Sequence, residues 1–509
     1  MTMPTPDIGP SYDRDLIDDG HVDMDALKRS SVRGAAVNFG AQSFKFVIQF
    51  LYQIVIMRLL APRDFGLVAM AAPIMAFVSM FADMGLSQAM VQRPHITHKQ
   101  LNFLFWFSAG VSGALGLATI ALAPVVGWFY GEPKVTPIVM ALGVVLFVSG
   151  IQSQPSALLT RRMEFGKLAA INLVSLALGL GTGIAAALIG CGYWSLVITP
   201  TVSVFASLIP VWRAARWVPT RPQRAEGVRG MIGFGGNLTI FNTMNFFARN
   251  LDNILIGRVW GDVPLGFYDR AYKILLLPLT QIVWPLSAVV LPTLSRALHD
   301  PALYRRAFLR MFEAVLLFTY PGTLFAMCAS QQIILIVFGA RWLAVAPLFS
   351  VLAISGLFAL ASNAAAWLYP SQDRTREMRN WGAVSSAILV ASFIIGLPWG
   401  VLGVAVSYSA FTLLQGPLCW WWATRRGPVA LRDFLAAFAP HAYAGMAAMI
   451  SVSALQEILP QGAGSLVLLF AASHIAYGGA LACMPHGRRL FADLWAQARH
   501  LGLHKGEAP

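Results

Sequence analysis

Fourteen apolar stretches, each 17 to 27 residues long, run through this chain of 509 residues. They fall at 35–57, 65–81, 103–125, 138–159, 168–188, 194–212 and 232–256, and again at 265–291, 308–329, 344–368, 381–397, 402–422, 434–454 and 465–483. About 20 apolar residues wound as a helix cross the hydrocarbon core of a bilayer. Lipid offers the backbone no hydrogen bonds, so stretches of this kind must satisfy their own as helices. The expected fold class is an all-α integral membrane protein with about 14 transmembrane helices. Composition agrees: 57% of residues are hydrophobic and only 12% charged, far from the balance of a soluble domain.

The formal net charge of +14 could point to nucleic acid, so the placement of the charges decides its meaning. With both termini in the cytoplasm, about 28 of the 37 Lys and Arg residues fall in cytoplasmic segments, about 5 in external loops and about 4 within helices, Arg310 at the edge of its stretch being counted as cytoplasmic. That alternation is the positive-inside pattern of a membrane protein, and it removes nucleic acid as a partner. The first 27 residues are polar and acidic, unlike a cleavable signal. Four cysteines, Cys191, Cys328, Cys419 and Cys483, lack paired or metal-ligand spacing and read as packing residues. The loops are short, the longest being the basic connection 213–229, so any chemistry lies within the membrane.

A polar stripe interrupts the first apolar stretch, where Asn38, Gln42, Lys45, Gln49 and Tyr52 recur at steps of three and four. That spacing places them on one helix face. Two hundred residues later Asn242, Asn245, Arg249 and Asp252 repeat the stripe in register, and Arg58 with Gly66 repeats as Arg258 with Gly266. The chain thus reads as a duplication. Residues 1–31 form a cytoplasmic acidic tail, 32–212 a first lobe of six spans, 213–229 a basic cytoplasmic linker and 230–426 a second six-span lobe. Residues 427–484 add two spans, and 485–509 form a cytoplasmic amphipathic tail. Six spans per repeat make the copies parallel, related by a pseudo-twofold axis along the membrane normal.

Apart from Arg310 at the cytoplasmic edge of its stretch, four cations lie within the expected helices: Lys45, Arg249, Arg270 and Lys273. At about 2.5–3.5 kcal/mol each, exposure to lipid is unfavourable, so they belong in a protein interior or a wet cavity. Arg249 with Asp252, and Asp269 with Lys273, have the spacing of same-helix pairs. Lys45 and Arg270 have no acid at such spacing, which leaves a surplus of positive charge suited to an anion such as a pyrophosphate. The alternatives are pairing across helices or, for Arg270 and Lys273, snorkelling to an interface. Asp83 reads equally as an ion-coupling site, as does Asp252, or as a helix-end cap. Gly179, Gly181 and Gly183 sit mid-helix and read as a packing stripe, not a dinucleotide loop. His441 and His474 are isolated on apolar helices and read as packing residues. A phosphate-binding loop of the Gly-x4-Gly-Lys-Ser/Thr type does not occur, so the chain is not expected to be an ATP-driven pump by itself.

At Arg58-Leu-Leu-Ala-Pro-Arg-Asp-Phe-Gly66, Phe81-Ala-Asp-Met-Gly-Leu86, Asp252-Asn-Ile-Leu-Ile-Gly-Arg258 and Leu265-Gly-Phe-Tyr-Asp-Arg-Ala271 the sequence resembles the Wzx-type polysaccharide flippases. These belong to the multidrug/oligosaccharidyl-lipid/polysaccharide exporter superfamily, and the likeness is to the branch serving colanic-acid and other exopolysaccharide pathways. The resemblance covers about residues 30–450. It implies a V-shaped pair of lobes in a bacterial inner membrane, alternating access to carry an undecaprenyl-pyrophosphate-linked sugar repeat unit outward, without catalytic residue, metal or cofactor. It also implies, as partners, membrane lipids, a polysaccharide polymerase and a chain-length regulator. The cavity residues it implies are Lys45, Arg249, Asp252, Asp269, Arg270 and Lys273, to which the stripes add Gln42, Gln49, Asn242 and Asn245. Rival readings are an ion-coupled efflux transporter of small cations, a membrane polysaccharide polymerase and a scaffold within a synthesis complex.

Overall fold

The computed structural model describes residues 24–83, 87, 90–91, 96–222, 246, 250–277 and 279–493. Among them every regular element is helical, and ten stretches are long and apolar enough to cross a membrane. The chain divides into two compact units, Met1–Gly266 and Phe267–Pro509.

In the first unit α1 spans Met24–Leu59, α2 Pro62–Asp83, α3 His98–Tyr130, α4 Val135–Arg161, α5 Phe165–Leu188 and α6 Trp194–Ala215. A further helix, α7, occupies 250–260. The start of α3 is set by sequence: Thr97 Oγ1 accepts from the Gln100 N–H at 3.3 Å, while Gln100 Oε1 accepts from the Thr97 N–H at 3.1 Å. This reciprocal cap satisfies two amides that a helix start leaves open. The glycine stripe does pack helices. A Cβ at Gly179 would lie 3.1 Å from that of Ser203, and one at Gly183 3.2 Å from the Ser195 carbonyl oxygen, so only hydrogen lets α5 and α6 approach this closely. Gly181, between them, faces open space.

The expected span 265–291 is not one α-helix. It divides into α8 (Asp262–Leu275), which begins in the first unit and continues into the second, a π-helical turn at Leu279–Val283, and α9 (Trp284–Ala297). Helical hydrogen bonds still run through this stretch, from the Leu276 N–H to the Tyr272 carbonyl at 3.1 Å and from the Thr280 N–H to the Leu276 carbonyl at 3.0 Å, so the chain changes helical pitch here and keeps its ladder.

The second unit continues with α10 (Pro301–Cys328), α11 (Val345–Ala365), α12 (Thr375–Gly396), α13 (Gly400–Thr424), α14 (Leu431–Ile458) and α15 (Ala463–Cys483). Asp300 opens α10 by accepting from the N–H groups of Ala302 and Leu303, with Pro301 in the first turn. The core is aromatic: Phe312 and Phe434 stack with centroids 4.3 Å apart, and Trp420 lies 5.2 Å from Phe434. His441 is a packing residue, buried with Nδ1 2.7 Å from the Tyr477 hydroxyl. Residues 485–493 are helical and dock on α10, with His486 Nε2 2.7 Å from Glu313 and Arg310 paired to Asp493 at 2.8 Å.

Each unit contains the same clip. Arg162, in the turn before α5, donates to the Ala215 carbonyl at the end of α6, 2.7 Å away. Arg374, in the turn before α12, donates to the Ala423 carbonyl near the end of α13 at 2.8 Å and to Arg426 at 2.6 Å. An arginine here satisfies carbonyls that a helix end leaves open and favours its negative pole. Glu377 closes the second clip, bound by Arg374 at 2.7 Å, Arg426 at 3.0 Å and Arg425 at 3.3 Å.

Candidate functional site

At roughly 100° per residue, Gln42, Lys45, Gln49 and Tyr52 fall within about 80° of arc on α1, so the stripe is one face. Gln42 and Gln49 are exposed and Lys45 is half-buried. The described residues offer Lys45 no ion-pair partner. Tyr52 behaves differently. Its hydroxyl lies 2.8 Å from Thr199 Oγ1 on α6, and since Thr199 donates to the Ser195 carbonyl, Tyr52 donates to Thr199. The stripe is thus anchored to α6 at one end and leaves a cation and two amides available along the rest. Asn38's side chain and the whole of Asn242, Asn245 and Arg249 lie outside the described residues, and with them the expected Arg249–Asp252 pair. Asp252 is 2% exposed and accepts from the Asn253 N–H at 2.8 Å. Asp83 is the last residue of α2, and its side chain also lies outside the described residues.

On α8 the expected pair forms, with Lys273 Nζ 3.0 Å from Asp269 Oδ2. Arg270 differs from the sequence reading, which gave it no acid at helical spacing. Its guanidinium folds back on the adjacent carboxylate, Nε 3.0 Å from Asp269 Oδ2 and Nη2 in contact with the same oxygen. Adjacent helix residues do not normally face each other, but an arginine side chain is long enough to turn the corner, and leaving either buried charge unpaired would cost more. Asp269 is 3% and Arg270 9% exposed, whereas the Lys273 side chain is 55% exposed. The trio therefore keeps one net positive charge, presented by Lys273.

The repeat yields a contact that periodicity does not reveal. A Cβ at Gly66 would stand 2.5 Å from the carbonyl carbon of Asp262, and one at Gly266 3.0 Å from that of Pro62. The positions are 200 apart in both directions, so the two copies of one motif cross reciprocally, backbone on backbone. Beside the crossing Arg63 binds Asp262 at 2.7 Å and Glu132 at 3.3 Å. The in-register glycines were the available sequence signal.

Residues 55–347, more than half of the chain, match the model of a family described as polysaccharide biosynthesis protein. The teichuronic acid biosynthesis protein TuaB of Bacillus subtilis is 27% identical over 289 residues, 56% of this chain and 60% of that protein. The chain therefore spans less than two thirds of TuaB. The lipopolysaccharide biosynthesis protein WzxC of Escherichia coli is 21% identical over 75% of this chain and 78% of its own length. The succinoglycan biosynthesis transport protein ExoT of Rhizobium meliloti is 24% identical over 61% and 63%. Among solved structures, the lipid II flippase MurJ in an inward closed conformation superposes with a TM-score of 0.67 at 12% identity, covering 90% of this chain and 98% of that one. An inward-facing multidrug-resistance transporter of the MATE family gives 0.60 at 12% identity, covering 76% and 95%. At such identities the likeness shows a shared fold.

Proposed function

We propose a function from one premise: the chain belongs to the polysaccharide biosynthesis protein family. It is a flippase that carries an undecaprenyl-pyrophosphate-linked oligosaccharide from the cytoplasmic to the outer leaflet of a bacterial inner membrane, feeding exopolysaccharide or lipopolysaccharide synthesis. The observation that carries this reading is the α1 face, where half-buried Lys45 lies between exposed Gln42 and Gln49 inside an apolar helix. The names of WzxC, ExoT and the lipid II flippase support it.

In this reading 14 spans form two six-helix lobes and a C-terminal pair, with both termini cytoplasmic. The lobes open alternately to either side. Desolvating the pyrophosphate is the main barrier, and Lys45, Arg249 and Lys273 offset it with charge-assisted hydrogen bonds, while Asp269 holds Arg270 in place. Gln42, Gln49, Asn242 and Asn245 bond sugar hydroxyls, and the lipid tail stays in the bilayer. Asp83 and Asp252 are the candidates for ion coupling, and the product passes to a polymerase with its chain-length regulator. No bond is made or broken, so the protein is a transporter and not an enzyme. A drug pump for cations fits the Lys45 face less well, because like charges repel.

Lys45→Ala and Arg249→Ala are expected to reduce polysaccharide export by about 10- to 100-fold each, the equivalent of one charged hydrogen bond at about 1.5–3 kcal/mol. Immunoblots of the membrane fraction should show unchanged protein. Normal export in both single variants and the double would overturn the cationic-face reading.

A further inference from the structure

The second unit holds a cavity of about 240 Å³ in the groove between α11 and α12, floored by α13. Among the described residues its lining contains not one Asp, Glu, Lys or Arg, yet it is polar: Ser362, Asn363, Ser385, Thr412 and Gln415 all reach it. Such a lining lacks the carboxylates that hold a cation and the guanidinium or ammonium groups that hold a phosphate. Its serine and threonine hydroxyls are hydrogen-bonded within the protein, and an acyl chain would leave the Asn363 and Gln415 carbonyl oxygens without partners, which is unfavourable. What suits it is a neutral, polyhydroxylated ring.

Two amide oxygens await a partner. Tyr369 also lines the cavity, with its unpartnered hydroxyl buried behind the lining and out of a ligand's reach. Asn363 spends one N–H on the Ala359 carbonyl at 2.8 Å, and Gln415 donates to Ser385 Oγ, so both amide oxygens remain to accept. Trp381 and Tyr408 add aromatic surface to the same lining, and the C–H face of a sugar stacks on such rings while its rim bonds to amides. Phe393 backs Tyr408 at 5.9 Å and Trp422 backs Trp381 at 5.9 Å, so both rings are braced. At about 30 Å³ per water the cavity equals roughly eight waters, room for one pyranose ring and not for a chain of them.

We propose that this groove is a subsite for a single neutral sugar residue, distinct from the cationic face of α1. Its role as the place where the glycan is recognised during transport rests on the flippase reading above. Residue choice here selects which glycan is carried, while charge elsewhere holds the phosphates.

The test uses the full chain in lipid nanodiscs and two probes: undecaprenyl pyrophosphate bearing one glucose or galactose, and the same lipid without sugar. The native protein is expected to bind a hexosyl probe about tenfold more tightly than the bare lipid. Asn363→Ala and Gln415→Ala should each remove most of that preference while leaving bare-lipid affinity unchanged, which also reports that they fold. Tyr369→Phe removes only a hydroxyl that the cavity does not expose and should leave the preference unchanged. A native protein that shows no preference for either hexosyl probe, or Asn363→Ala and Gln415→Ala variants that both keep it, would overturn the subsite. Translocation of the hexosyl and bare lipids in proteoliposomes is measured alongside. Should neither be carried, the flippase reading falls, while binding of free glucose and galactose, followed by saturation-transfer NMR, still decides the groove.

Discussion

Alanine at Gly66 is expected to destabilise the protein by about 1–3 kcal/mol, the usual range for overpacking. The added Cβ meets backbone, the carbonyl of Asp262, which unlike a side chain has no rotamer through which to yield. Gly266→Ala should do the same against Pro62. The contrast is internal: Gly181→Ala enters open space in the middle of α5 and should be neutral or stabilising by up to about 1 kcal/mol, the helix preference for alanine. Thermal unfolding of the three purified variants checks both signs. Unfolding temperatures for Gly66→Ala and Gly266→Ala at or above native would contradict the crossing.

Asp269→Asn should have a larger effect on stability. Asp269 is the acid held by both Arg270 and Lys273, and removing one partner of a buried pair costs about 3–5 kcal/mol because the other charge stays behind. Arg270, 9% exposed, is that charge. Low protein in the membrane and a depressed unfolding temperature are expected, and Arg270→Met in the same chain should restore much of both. Asp269→Asn at native abundance, with no recovery to measure in the double variant, would mean that solvent reaches the pair freely.

How far the sequence discloses these features depends on the physics behind each. Hydropathy locates α15 within two residues, 465–483 against Ala463–Cys483, because lipid imposes a length and a polarity that composition must obey. It misses the π-helical turn between α8 and α9, since averaging over a window reports polarity and not helical pitch. Helical period places Gln42, Lys45 and Gln49 on one face of α1, as the structure does. The same rule hides the Arg270–Asp269 pair, which depends on side-chain length and burial and not on spacing. Arg162 and Arg374 read as topological charge, yet both are structural caps, a role visible only when the far helix end is in place. The groove between α11 and α12 draws its lining from three helices, and no single stretch of sequence carries its signal. Asn242, Asn245 and Arg249 lie outside the described residues.

Two bare backbones touching at Gly66 and Gly266 make a contact unlike the interdigitated cores elsewhere in the chain. Knobs set in holes fix both spacing and direction, whereas a smooth point contact fixes only spacing. Where α2 and α8 begin, bare backbone sets a separation that side chains elsewhere would widen, and the Arg63–Asp262 pair ties the two helix starts together beside it.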